Sequence, residues 1–142
     1  MKLAIEIIPD TYDTDENGFY CLLNNIKIND FQETNSMAVD YWTKKDYQRQ
    51  WKEGLEKIKI HDVSCLVTSI QNPIKSIPLL NWWVLYKINN KIIIQNELLY
   101  DEVYKEEIGD KLFSPESCYD FIRPRVTHTE DGQKISEWIV EL

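Results

Sequence analysis

The stretch NWWVLYKINNKIIIQNELLY, residues 81–100, reads as a β-hairpin. Apolar and β-branched residues flank Asn89-Asn90, and asparagine accepts the positive φ that a two-residue hairpin loop demands. Closure as a type I′ turn would set Lys87 opposite Ile92, Leu85 opposite Ile94 and Trp83 opposite Asn96. On the other face Tyr86 would meet Ile93, Val84 would meet Gln95 and Trp82 would meet Glu97. Successive strand side chains point to opposite faces, so Trp82 and Trp83 cannot share one core. Both faces carry apolar groups, which suits a central hairpin covered on both sides. The end near Gln95, Asn96 and Glu97 is more polar and expected to be wet. One tryptophan is expected beneath a helix. The other is expected beneath the C-terminal segment or at a rim.

The helix is TKKDYQRQWKEGLEKIKI, residues 43–60. Tyr47, Trp51, Leu55 and Ile58 recur at spacings of four, four and three, which is one helical face. Core packing is the preferred reading of that stripe. Thr43 suits the N-cap, with Asp46 as its capping-box partner. Gly54 weakens a helix by about 1 kcal/mol relative to alanine, but its missing side chain would let a strand approach closely.

Around these two elements the chain supplies strands and turns. LAIEII, residues 3–8, reads as a strand, and PDTYDTDENG, residues 9–18, as an acidic loop. In FYCLLNNIKI, residues 19–28, Asn24-Asn25 suggests a tight hairpin turn. VSCLVTSI, residues 63–70, is a β-branched strand, and QNPIKSIP connects it to the hairpin. DEVYKEEIGDKLF, residues 101–113, is an acidic segment. SPESCYDFI, residues 114–122, suggests a short helix with Ser114 at the N-cap and Pro115 following. A turn at Asp131-Gly132 leads to a final strand, ISEWIV, residues 135–140. The sum is α+β: a mostly antiparallel sheet of five to seven strands packed with one main helix and one shorter helix, in a single domain over residues 1–142.

Composition narrows the function classes. Sixteen Lys and Arg stand against twenty-four Asp and Glu, a net charge of −8. A phosphate backbone repels such a chain, so direct nucleic-acid binding is disfavoured, whereas a basic partner suits it. Cys21, Cys65 and Cys118 are odd in number and widely spaced, which fits buried thiols in a reducing compartment rather than a disulfide frame or zinc site. No apolar run reaches membrane-spanning length, and the N-terminal run, broken by Glu6 and Pro9, is too short for a signal-peptide core. A cytoplasmic protein is expected.

Catalytic constellations are lacking. His61 and His128 are far apart, no phosphate-cradling glycine loop or nucleophile elbow occurs, and no carboxylate pair is singled out by spacing. Cys118 near His128 would be a thiol-nucleophile idea, but a small buried cysteine is the better reading. No catalytic residue, metal or cofactor is expected. Two acidic clusters stand out instead. One is Asp10, Asp13, Asp15 and Glu16, with Tyr12 and Tyr20 nearby. The other runs from Glu97 through Asp101, Glu102, Glu106 and Glu107 to Asp110, with Tyr100 and Tyr104. Carboxylates beside tyrosines suit a protein interface, where aromatic anchors supply buried area and charge speeds encounter. Tyr100, Asp101, Glu102, Tyr104, Glu106 and Glu107 are the candidate contacts.

IQNELLY after the tryptophan-rich strand, the YDFIRPR segment and the ending TEDGQKISEW resemble the immunity proteins of bacterial contact-dependent growth inhibition systems. The resemblance lies in the order of segments across most of the chain, not in a diagnostic motif. It implies a cytoplasmic antidote that binds the C-terminal toxin domain delivered by a neighbouring cell; the free chain is expected to be a monomer. Many such toxins are nucleases and basic around the active site, so an acidic immunity protein would stand in for nucleic-acid phosphates. Family members vary at their contacts, so no contact residue carries over. Two other classes fit the residues: a small acidic enzyme with a scattered carboxylate site, and a general interaction module.

Overall fold

The computed structural model describes residues 2–14 and 20–142, with side chains for residues 2–9 and 21–142. The hairpin of residues 81–100 is its centre. Strands β1 (Leu3–Thr14), β2 (Tyr20–Ile28) and β3 (Phe31–Ala38) form one antiparallel sheet in that order. Helix α1 (Lys44–Ile60) follows. Strands β4 (Val63–Ile70), β5 (Leu79–Ile88), β6 (Lys91–Tyr100) and β7 (Trp138–Glu141) form a second, with helix α2 (Glu102–Glu107) and a 3-10 turn (Cys118–Phe121) between β6 and β7. The α+β reading holds, with the strands divided between two sheets.

The register of the central hairpin follows from its two-residue loop: Lys87 faces Ile92, Leu85 faces Ile94, Trp83 faces Asn96 and Trp82 faces Glu97. Only Asn89 takes positive φ, at 58°, which is the sign pattern of a type II′ rather than a type I′ turn. Both turns close two residues and give the same register.

Both tryptophans are buried, Trp82 at 0% and Trp83 at 1% exposure, so neither lies at a rim. Trp83 packs against Phe31 of the first sheet and against Trp138 of β7, whose ring centroid is 5.2 Å away. The C-terminal segment covers it as expected. Trp82 faces the other way, edge-on to Phe113, which also stacks on Trp42 and meets Phe121. Its cover is the segment after α2, not α1, and its Nε1 donates to Glu97 Oε1.

Helix α1 does a different job: it closes the open edge of β4. Exposed strand edges invite foreign strands, and proteins cover them. Gln50, fully buried, acts like a neighbouring strand: its Nε2 donates to Cys65 O at 2.8 Å and its Oε1 accepts from Val67 N at 2.8 Å. Trp51 Nε1 donates to Val67 O at 2.7 Å. The Tyr47 hydroxyl donates to Ala38 O and accepts from Ile70 N, tying the end of β3 to that of β4. Gly54 permits the approach, since a Cβ there would run into Cys65 O. Tyr47, Trp51 and Ile58 are buried as the stripe requires, while Leu55 is half-buried.

The capping box at the start of α1 is complete: Asp46 N donates to Thr43 Oγ1 and Thr43 N to Asp46 Oδ2. Thr43→Ala is expected to lower stability by about 1 kcal/mol, read as a shift in urea midpoint at unchanged slope.

Four local expectations are corrected. The tight turn lies at Asn29-Asp30, not Asn24-Asn25; β2 runs straight through the latter pair. Asn24 is fully buried because its amide has work to do, donating to Thr68 O of the second sheet and accepting from Asn35. Strand β1 continues past Pro9 to Thr14, with a register shift between Ile7 and Tyr12 that takes up the irregularity. The segment from Ser114 forms only a 3-10 turn from Cys118, although Ser114 Oγ does accept from Ser117 N. At the C-terminus, β7 starts at Trp138 rather than Ile135.

Candidate functional site

Strand β6 ends at Tyr100, and the chain turns at Asp101, whose φ of 49° breaks the strand. Asp101 N donates to Pro78 O, which holds the turn beside the 71–78 connection. Helix α2 then packs against β6. Its inward face is Tyr104, with Ile108 one turn on, at 1% and 2% exposure. Tyr104 is therefore part of the core and not an exposed anchor, and burial pushes its phenol up to about 12. The four-residue spacing of Tyr104 and Ile108, followed by Phe113, is the sequence signal for an amphipathic helix in this acidic segment.

The outward face collects the charge. Tyr100 is 49% exposed at the strand end, and Val103 is exposed beside it in sequence. Glu102 and Glu106 are exposed. Lys105 sits between Asp101, at 3.1 Å, and Glu102, at 3.8 Å. Its ammonium is held above its ordinary value by the Asp101 hydrogen bond and charge, then by Glu102. Glu107 is committed elsewhere: Arg123 binds it at 3.0 Å and Glu97 at 2.9 Å. Partial burial works against that guanidinium's charge, but the two carboxylates outweigh it and raise its pKa. Of the six candidate contacts, Tyr100, Asp101, Glu102 and Glu106 thus form one acidic surface with an aromatic flank. Glu107 braces the fold and Tyr104 fills it. In the other acidic cluster, Asp15 and Glu16 lie outside the described residues, and so do the side chains of Asp10, Tyr12, Asp13 and Tyr20.

Beyond Arg123 the chain forms a loop held by a second ion pair. Arg125 binds Glu137 through two hydrogen bonds of 2.7 Å, and Gln95 Nε2 donates both to Glu137 and to Val126 O. Hydrogen bonding from Arg125 holds the Glu137 carboxyl below its ordinary value of 4.5. A depressed carboxylate stabilises the fold above its unfolded pKa and loses that contribution as pH falls through the folded value. Acid titration should therefore destabilise the wild type more than Glu137→Gln below the carboxylate range, when both are followed by fluorescence.

Cys118 and His128 do not come together as a thiol–imidazole pair. Cys118 is buried against Cys65, with the sulfurs 3.8 Å apart, while His128 is exposed beside Thr127. Burial, reinforced by the Cys118 contact, pushes the Cys65 thiol well above its usual value, which keeps it protonated and inert. Among the described residues, no group of three His, Cys, Asp or Glu side chains is placed to hold a metal ion, and no helix is long and apolar enough to cross a membrane.

The family follows from what the chain is similar to. A family model described as the CdiI N-terminal domain matches residues 37–142. The chain belongs to the CdiI immunity protein family. It is 37% identical over 120 residues to Immunity protein CdiI of Enterobacter cloacae, a match spanning 84% of this chain and 78% of that protein. The fold matches a chain of the solved CdiA-CT/CdiI toxin and immunity complex from Enterobacter cloacae with a TM-score of 0.78 and 33% identity. That match covers 98% of this chain and 90% of the other. The matched family region begins near the end of β3 and contains α1, the whole second sheet and the acidic α2.

Proposed function

We propose that this chain is a cytoplasmic immunity protein, acting over residues 1–142 as one binding domain without catalysis. Its partner is the cognate CdiA C-terminal toxin domain, a basic nuclease whose active-site cleft it covers. The observation that carries the reading is the fold's likeness, over 98% of the chain, to a chain of a toxin and immunity complex. The surface around Tyr100 supports the finer part. Its carboxylates outnumber its one cation, Lys105, and would meet a basic cleft where phosphates otherwise sit. Tyr100 supplies a half-exposed aromatic of the kind that anchors interfaces.

The test is to mix the purified chain with the toxin domain encoded beside its gene and measure both binding and nuclease activity. A tight complex with no residual cleavage is expected. A complex that still cleaves would remove active-site blocking but keep toxin binding. No complex at all would overturn the reading.

A further inference from the structure

We propose that the outer edge of β6 beyond Ile94 is a strand-addition site, taken by an extended, basic segment of the toxin; the inference rests on the toxin-binding reading above. The two long edges of the second sheet are treated differently. Helix α1 closes the β4 edge with the Gln50 amide, the Trp51 indole and the Tyr47 hydroxyl. At the other edge, β7 pairs only with Lys91–Ile94, while β6 stays paired with β5 as far as Tyr100. The outer half of β6 is thus a regular strand with no further strand beside it among the described residues.

The direction of its free groups can be read from the ladder. Leu142 N donates to Asn90 O, so Lys91 and Glu141 form a non-hydrogen-bonded pair, and β6 bonds outward through Ile92 and Ile94. The same alternation turns the N–H and C=O of Asn96, Leu98 and Tyr100 outward. Among the described residues none of these backbone groups finds a protein partner.

A groove of about 690 Å³ lies there. Gln95 and Glu97 point to one face of the sheet and Asn96 and Leu98 to the other, yet all four line it. The groove therefore follows the edge of the strand rather than one face. Its far wall is the 123–135 loop, which includes Val126 and Glu130. That wall is pinned by the Arg125–Glu137 pair, by Gln95 on Val126 O and by Arg123 between Glu97 and Glu107. These contacts run from β6 side chains on one face, and the groove lies between the wall and the strand edge. Leu98 and Tyr100, exposed at 58% and 49%, stand on the same face of this edge. An added strand would hydrogen-bond to the backbone, while these side chains gave specificity.

Charge selects the occupant. Glu97 and Glu107 share one arginine, Glu130 has no cation partner among the described residues, and α2 brings Glu102 and Glu106 to the end of the edge. A segment bearing lysine or arginine complements this. A second copy of a chain with net charge −8 does not.

The experiment uses Leu98→Pro and Leu98→Ala with the co-encoded toxin domain. Proline removes the outward N–H without touching the β5–β6 ladder, which is the edge position where strands tolerate it. Leu98→Ala removes the side chain and keeps the N–H. Leu98→Pro is expected to weaken toxin binding on the order of 10- to 100-fold, and Leu98→Ala clearly less. In the wild type, hydrogen exchange at the Leu98 and Tyr100 amides should slow by about tenfold or more on toxin addition, which decides the matter even if Leu98→Pro fails to fold. A wild type that binds toxin while those amides stay unprotected and Leu98→Pro binds within about threefold overturns strand addition alone. A wild type that binds no toxin overturns the underlying reading as well. Protection that rises with protein concentration in the absence of toxin would assign the edge to a second copy and overturn the proposal.

Discussion

Trp51→Ala should destabilise the fold by about 3–5 kcal/mol. The indole is buried, packs at 6.1 Å from the Tyr47 ring and lines a cleft with Ile5, Ile7 and Leu55, so its removal leaves a cavity where α1 meets both sheets. It also removes the donor to Val67 O. That carbonyl points to the closed edge of β4, and an unsatisfied buried acceptor costs about 1–3 kcal/mol. Leu55→Ala is the comparison, since Leu55 belongs to the same stripe but is only half-buried. Its cost should be clearly smaller. Urea melts of the two variants would measure the difference. A Trp51→Ala loss below about 1 kcal/mol would mean that α1 does not seal this edge.

The parts of the fold that could be read from the sequence are those set by local rules. The hairpin register followed from loop length alone, so it held although the turn type differed. The α1 boundaries followed from an apolar period and a capping box, and both devices are present. The expectations that missed depend on partners distant in sequence. Asn24-Asn25 has the chemistry of a turn, but Asn24 spends it on Thr68, forty-four residues away. Gln50 looks like a surface residue of a charged helix, yet it is buried because β4 presents unpaired amides to it. Nothing in the sequence near Gln50 announces β4. Tyr104 sits among the same acidic residues as Tyr100, and in the sequence only the short Tyr104–Ile108 period marks it as inward-facing. In the candidate site the exposed members were legible as composition. The roles of Glu107 and Glu97 were not, because Arg123, which binds both, arrives from a later segment.

The acidic surface gives the second large effect. Tyr100→Ala, Glu102→Gln and Glu106→Gln in one chain are expected to weaken binding of the co-encoded toxin domain by at least about a hundredfold, or roughly 3 kcal/mol. The three side chains are exposed or half-exposed, and Glu102 makes only the long contact of 3.8 Å to Lys105, so folding stability should change little. The loss should divide between two rates. Losing the charges should slow association and flatten its salt dependence, because exposed charges act through a screened field. Losing the Tyr100 ring should speed dissociation, because an anchor's burial is recovered only when the complex forms. Glu107→Gln separates the site from its support: it removes one of the two carboxylates on Arg123 and should cost some stability, with a clearly smaller loss of binding than the triple variant. Protection of toxin-expressing cells provides the parallel readout and should fail for the triple variant alone. If the triple variant binds within about threefold of wild type and still protects, the surface around Tyr100 is not the interface. The acidic segment from Asp10 to Glu16 then becomes the surface to mutate, because it is the other place in this sequence where carboxylates and tyrosines are gathered.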